Sequence, residues 1–205
     1  MIRILRRIVK RDFPKRCAAT GLLVAVLGTF VPFSEAVRWR SVEFPDQFKA
    51  EEQVLPLRGW GIKKYFMFRV FLAAFYLGEA VRPEDSLSDV PKRLEIHYFL
   101  PVPGEQLAAE TRRMIAESIS PQAFGKIRKR LDVMDKYFVD LKPGDCYGLT
   151  YIPGKGTQFH YNGRLMGVIE GADFAFAVFT IWVGTRPLDR FLRAKLLGIQ
   201  DLSAK

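Results

Sequence analysis

Apolar positions recur along this chain with two periods, near two and near 3.6, and the change from one to the other separates strands from helices. Residues 37–44 read as a strand that stops at Pro45. "QVLPLRG", residues 53–59, reads as a second, shorter strand. Residues 65–77 then run almost without polar side chains apart from Arg69. Phe66, Phe68, Val70 and Leu72 fall on one face, Met67, Phe71 and Phe75 on the other. A strand apolar on both faces is a central one, covered on both sides, although period alone also admits a helix. The run is entered through Gly59-x-Gly61, read as a turn, and through Lys63 and Lys64.

The polar, proline-bounded stretch 82–91 reads as a loop or short helix. Residues 92–100 alternate again, with Leu94, Ile96, Tyr98 and Leu100 on one face. Two helices follow. The first, 104–118, carries Leu107, Met114 and Ile115 on one side. Ser120 caps the second and Pro121 suits its first turn. Its apolar stripe is Phe124, Ile127, Leu131, Met134 and Phe138, and its other face holds Lys126, Arg128, Lys129 and Arg130. Three short strands come next, around Tyr147–Leu149–Tyr151, "TQFHY" and "RLMGVI", with Asn162-Gly163 marking a tight hairpin. Residues 171–184 are apolar nearly all round and read as a buried helix. A last helix starts near Pro187, turns Leu188, Phe191, Leu192 and Leu196 inward, and ends at Gly198. The predicted class is α+β, one antiparallel sheet with helices layered on it.

Charge changes the picture only at the N-terminus. The chain has 32 Lys+Arg against 22 Asp+Glu. Seven of those bases and two of the acids lie in residues 1–36, where a basic stretch precedes an apolar run and small residues at Ser34 and Ala36. That layout predicts an export signal cleaved near Ala36 and a periplasmic domain over 37–205; the alternative is an uncleaved inner-membrane anchor. Past Ala36 the balance is 25 bases to 20 acids, which demands no nucleic acid. Cys146 is then the one cysteine left, so no internal disulfide is expected. His97 and His160 lack a ligand spacing to each other or to Cys146, and neither a metal nor a cofactor is predicted. The basic helix face at 126–130 is a candidate for peripheral contact with anionic lipid, against the commoner reading as a solvated face.

Four stretches together resemble the bacterial chalcone isomerase-like family. They are "LRGWGIKKYFMFRVFLAAFYLGE", "RLEIHYFLPVPGEQL", "GDCYGLTYIPGKGTQFHYNGRLMG" and "IEGADFAFAVFTIWVGTRPLDRFLRAKLLG", in that order. The resemblance implies an open-faced β-sandwich of chalcone isomerase type, with a ligand cleft between a long sheet and a helical layer. Relatives of this kind include catalysts of flavanone ring closure and non-catalytic fatty-acid binders. The plant enzymes hold substrate with an arginine after the Gly-x-Gly, a strand threonine, a tyrosine and an asparagine on the first helix, and a hydroxyl on the late helix. Matched by motif, these fall on Lys63, Phe71, Leu107, Met114 and Ile181, with Thr180 beside the last.

Ring closure of a chalcone requires hydroxyls that polarise a ketone and order a water, and Phe71, Leu107, Met114 and Ile181 do neither. One cation at the edge of an apolar cleft suits a fatty acid or similar anionic amphiphile. Its tail would gain roughly 0.8 kcal/mol per buried methylene, and a charge-assisted contact at Lys63 about 1.5–3 kcal/mol. Arg69 is either a second ligand contact or half of an ion pair at the sheet edge. The alternatives to a binding domain are an intramolecular lyase of chalcone isomerase type and an interaction module whose cleft is filled by its own side chains.

Overall fold

The computed structural model describes residues 37–39 and 42–199. The export segment read over residues 1–36 lies outside the described residues. Among the described residues no helix is long and apolar enough to cross a membrane.

Seven strands form one sheet in which every neighbour pair is antiparallel and the order follows the chain: β3 (Gln47–Ala50), β4 (Gln53–Tyr65), β5 (Phe68–Leu77), β6 (Lys92–Tyr98), β7 (Cys146–Ile152), β8 (Gly156–Tyr161) and β9 (Arg164–Ile169). Two further strands, β1 (Val37–Trp39) and β2 (Val42–Phe44), pair with each other. β1 and β2 are thus two short strands where one was expected over 37–44, because alternation reads the same along one strand and along two paired ones.

Gly59 and Gly61 do not turn the chain. They lie inside β4, a 13-residue strand that carries through to Tyr65, and the turn is at Phe66–Met67. β5 is the central strand anticipated, with Val70 through Leu77 all buried.

Among the described residues four helices complete the fold: α1 (Gly104–Ser118), α2 (Pro121–Asp135), α3 (Ala172–Val183) and α4 (Arg190–Leu196). The polar stretch before β6 contributes one 3-10 turn, Pro83–Asp85. Ser120 caps α2 as its sequence predicts, accepting a hydrogen bond from the Ala123 N–H. That helix ends before Phe138, which lies in the following loop. The last helix starts later than Pro187. Asp189 caps it, accepting from the N–H groups of Phe191 and Leu192. Phe191 faces solvent, 67% exposed, where an inward position was expected.

The main core forms between one sheet face and α1–α4. It gathers Phe71, Phe75, Leu94, Tyr98, Leu149 and Phe159 from the sheet and Phe174, Phe179, Ile181 and Trp182 from α3. A smaller core on the opposite face packs Phe44 against Leu72, Ala74 and Tyr76. Both cores are drawn from the residues between Phe44 and Leu197.

One buried charge interrupts the main core. Lys92 is 1% exposed; its ammonium donates to the Ser88 carbonyl at 2.5 Å and lies 5.5 Å from the Tyr151 ring centroid. Burial lowers its pKa to about 8. The folded chain therefore holds this proton less tightly than the unfolded chain does, and stability rises with pH from about 8 to about 10.4. Lys92→Met is expected to abolish that rise and to add about 2 kcal/mol at pH 7. Urea unfolding at pH 7 and pH 10 checks it.

Candidate functional site

The sheet and the helical layer enclose a small cavity. Register builds its floor: Ile96 and Tyr98 of β6, Tyr147 and Leu149 of β7 and Phe159 of β8 share one face through the pairs Ile96–Tyr147 and Leu149–Phe159. Helical spacing builds its roof. Leu107, Thr111 and Met114 follow one another along α1, and Val178, Ile181 and Trp182 along α3. Met134 of α2 and Phe138 close the side.

Aromatic contacts frame this space. The Trp182 ring meets Phe71 edge-on at 5.6 Å between centroids, and Phe138 meets Tyr147 edge-on at 5.7 Å. The polar groups in the lining are the hydroxyls of Tyr98, Thr111 and Tyr147 and the indole N–H of Trp182. Tyr147 Oη is committed: it donates to the Tyr137 carbonyl at 3.1 Å and accepts from the Val139 N–H at 2.8 Å. Burial pushes the Tyr147 phenol up to about 12 and the Tyr98 phenol well above its ordinary value. Both are neutral hydroxyls at pH 7, so neither supplies a phenolate base.

The cavity measures about 30 Å³. That is room for roughly two waters. An acyl chain enters only if side chains yield. Met114 and Phe138 are half-buried, and methionines re-pack at low cost.

Of the residues singled out in the sequence, Leu107, Met114 and Ile181 line the cavity. Phe71 stands behind them, against Trp182. Thr180 is buried on α3 with its hydroxyl toward Gly184. Lys63 is not at the cavity wall. Its ammonium pairs with Asp189 at 2.6 Å and ties β4 to the cap of α4. Burial alone would raise the Asp189 pKa; the Lys63 hydrogen bond and the α4 N–H groups outweigh it and hold the carboxyl below its ordinary range. Arg69, the second residue of β5, stands opposite Lys64, half-buried and away from the cavity lining. β5 is an interior strand, so this is the end of a hairpin and not a sheet edge. Of the basic face on α2, Arg130 is tied up by Asp173 at 2.6 Å, while Lys126, Arg128 and Lys129 are exposed.

Tyr98, Thr111, Phe138, Tyr147, Phe159, Val178 and Trp182 were not singled out for the site. The signal for the strand residues was present in the alternation of β6 to β8. Which helical positions would face them depends on packing across the sheet, which no local pattern encodes.

On the opposite sheet face, the register sets His97 directly across from Cys146. Glu95 joins them, and their ligating atoms lie within 4.8 Å of one another. Sequence spacing hid this cluster because β6 and β7 are far apart in the chain. Both Glu95 oxygens are engaged, Oε2 by Arg93 and Oε1 by His97, each at 2.9 Å. Arg93 also donates to Thr150 Oγ1 at 2.7 Å and stacks on Phe48 at 3.9 Å. The cluster is therefore one hydrogen-bonded network across β6 and β7, covered by a ring of β3. Burial pushes the Cys146 thiol up to about 12. Cys146 is expected to resist a thiol-specific disulfide reagent at pH 8 and to react at once in denaturant. The absorbance of the released thiol reads this directly.

The family model described as chalcone isomerase-like matches residues 36–198. The chain belongs to the chalcone isomerase-like family. Its structure is also similar to the crystal structure of the fatty-acid binding protein AtFAP1 of Arabidopsis thaliana, with a TM-score of 0.64 over 80% of this chain and 96% of that one. Sequence identity is 13%, so the likeness is one of fold. The α+β architecture, with one antiparallel sheet under a helical layer, is that of the family. No curated protein matches the chain.

Proposed function

We propose that this chalcone isomerase-like domain is a non-catalytic, exported protein that holds the acyl chain of a fatty acid or similar amphiphile between its sheet and helices. The observation that carries the reading is the lining of the cavity. Nine of its 13 residues have no polar side-chain group, Trp182 adds only an indole N–H, and one of the three hydroxyls is already committed to the backbone. The fatty-acid binding protein of the same fold supports the ligand class.

Lys63 anchors the cap of α4 through Asp189. A carboxylate head would have to displace Asp189 to reach it, so affinity in this reading comes from the chain. At roughly 0.8 kcal/mol per methylene, eight buried methylenes supply about 6 kcal/mol before the cost of moving side chains.

The small volume also favours a second reading, an interaction module whose cleft is filled. Titration with a fluorescent fatty acid, and its displacement by palmitate, separates the two. Saturable, displaceable binding is the expected result. No binding at solubility-limited palmitate would leave the filled cleft. Flavanone formation from a chalcone above the buffer rate would instead establish the lyase.

A further inference from the structure

The β4–β5 hairpin departs from local rules at one place. Its loop is two residues, Phe66 and Met67, closed by the pair Tyr65–Phe68. Such a loop favours glycine, asparagine or aspartate wherever φ is positive. The same chain follows that rule at Asn162-Gly163, where φ is 48° and 79°. At the β4–β5 loop, Phe66 takes a φ of 52° despite its bulk. Neither loop side chain is buried in compensation: Phe66 is 84% exposed and Met67 86%. Tyr65 braces the Phe66 ring edge-on, with centroids 4.8 Å apart, so the ring is held out from the sheet.

The next pair down departs from the rules again. Lys64 stands opposite Arg69, two like charges where sheets prefer unlike ones. The Lys63–Asp189 contact brings the first turn of α4 to this end of the hairpin, and with it exposed Arg190 and Phe191. An apolar tip above a cationic collar is complementary to one kind of surface. Anionic headgroups meet the collar, and the acyl boundary beneath them takes the tip.

We propose that the β4–β5 hairpin is a membrane-docking tip, which inserts Phe66 and Met67 into the interface of an anionic bilayer with Lys64 and Arg69 against the headgroups. A second copy of the chain is the poorer occupant, because two tips meeting would bring two cationic collars together. Docking does not depend on the cavity being filled, and it uses a different surface from the basic face of α2.

The test is flotation of residues 37–205, which contain both cores, with vesicles of phosphatidylcholine alone or mixed with phosphatidylglycerol. The wild type is expected to float with the mixed vesicles only, and less so as salt rises. Phe66→Asn/Met67→Gly restores ordinary turn residues. It is expected to melt higher than the wild type yet to bind mixed vesicles roughly tenfold more weakly or worse. Lys64→Glu is expected to weaken binding without lowering the melting temperature. Equal vesicle binding by the wild type and the double variant overturns the proposal, as does no wild-type binding. A wild-type dimer that the double variant makes monomeric also overturns it, assigning the tip to a second copy. Fatty-acid titration of the double variant keeps this inference separate from the cavity, since the tip lies outside the cavity lining.

Discussion

Replacing Gly59 with alanine is expected to lower the unfolding free energy by about 3 kcal/mol and to loosen α4 from the sheet. A methyl group at this position would overlap the Lys195 carbonyl oxygen, and it would also sit 3.0 Å from that of Leu196. These are backbone atoms at the end of α4, so no rotamer change relieves the clash. Two residues on, a methyl at Gly61 would lie 2.8 Å from Leu192 Cδ1 and 3.2 Å from Lys195 Cβ. The Gly-x-Gly is a seat: two missing side chains let α4 lie directly on β4. Gly61→Ala is expected to cost less, because flexible side chains are its nearest neighbours. Urea unfolding gives the loss, and hydrogen exchange of the α4 amides shows whether this helix opens first. Unchanged midpoint and protection would mean that α4 is held by other contacts.

Met114→Trp is expected to weaken acyl-chain binding about 100-fold while leaving the domain folded. Met114 is half-buried on α1 and lines the cavity. An indole there can extend toward the surface as well as inward, so the helix tolerates it. Whatever part points inward takes space the chain needs. Displacing four methylenes removes about 3 kcal/mol of transfer free energy, which is the predicted loss. Met114→Leu keeps the volume and flexes less; it is expected to bind within a few-fold of the wild type. A fluorescent fatty-acid titration measures both. If Met114→Trp bound as well as the wild type, the chain would lie elsewhere.

The helices were the most legible part of this fold. Ser120 and Pro121 announce the start of α2 through chemistry that acts within one turn, and Leu107 and Ile115 of α1 and Ile127, Leu131 and Met134 of α2 are buried as read. β4 and β5 were harder for a definite reason. The apolar run from Tyr65 onward conceals a two-residue turn made of Phe and Met, residue types that signal a strand. Glycines upstream supplied the false turn, because glycine marks close approach as well as bends.

The candidate site was half legible. Leu107, Met114 and Ile181 came from the family resemblance and meet at the cavity. Lys63 did not follow, because its partner Asp189 lies 126 positions away and no local pattern pairs them. The Arg93–Glu95–His97–Cys146 network was hidden for the same reason. Its members alternate along β6, but the fourth arrives only with the register of β7.

The central claim is that the space between sheet and helices opens to take an acyl chain. Native mass spectrometry of residues 37–205, purified without detergent and then titrated with palmitate, tests it most directly. One added mass per chain is expected, either co-purified and extractable as an acyl lipid or acquired on titration, and lost in Met114→Trp. A bare protein mass throughout, with palmitate in excess, would contradict it and leave the cavity as packing.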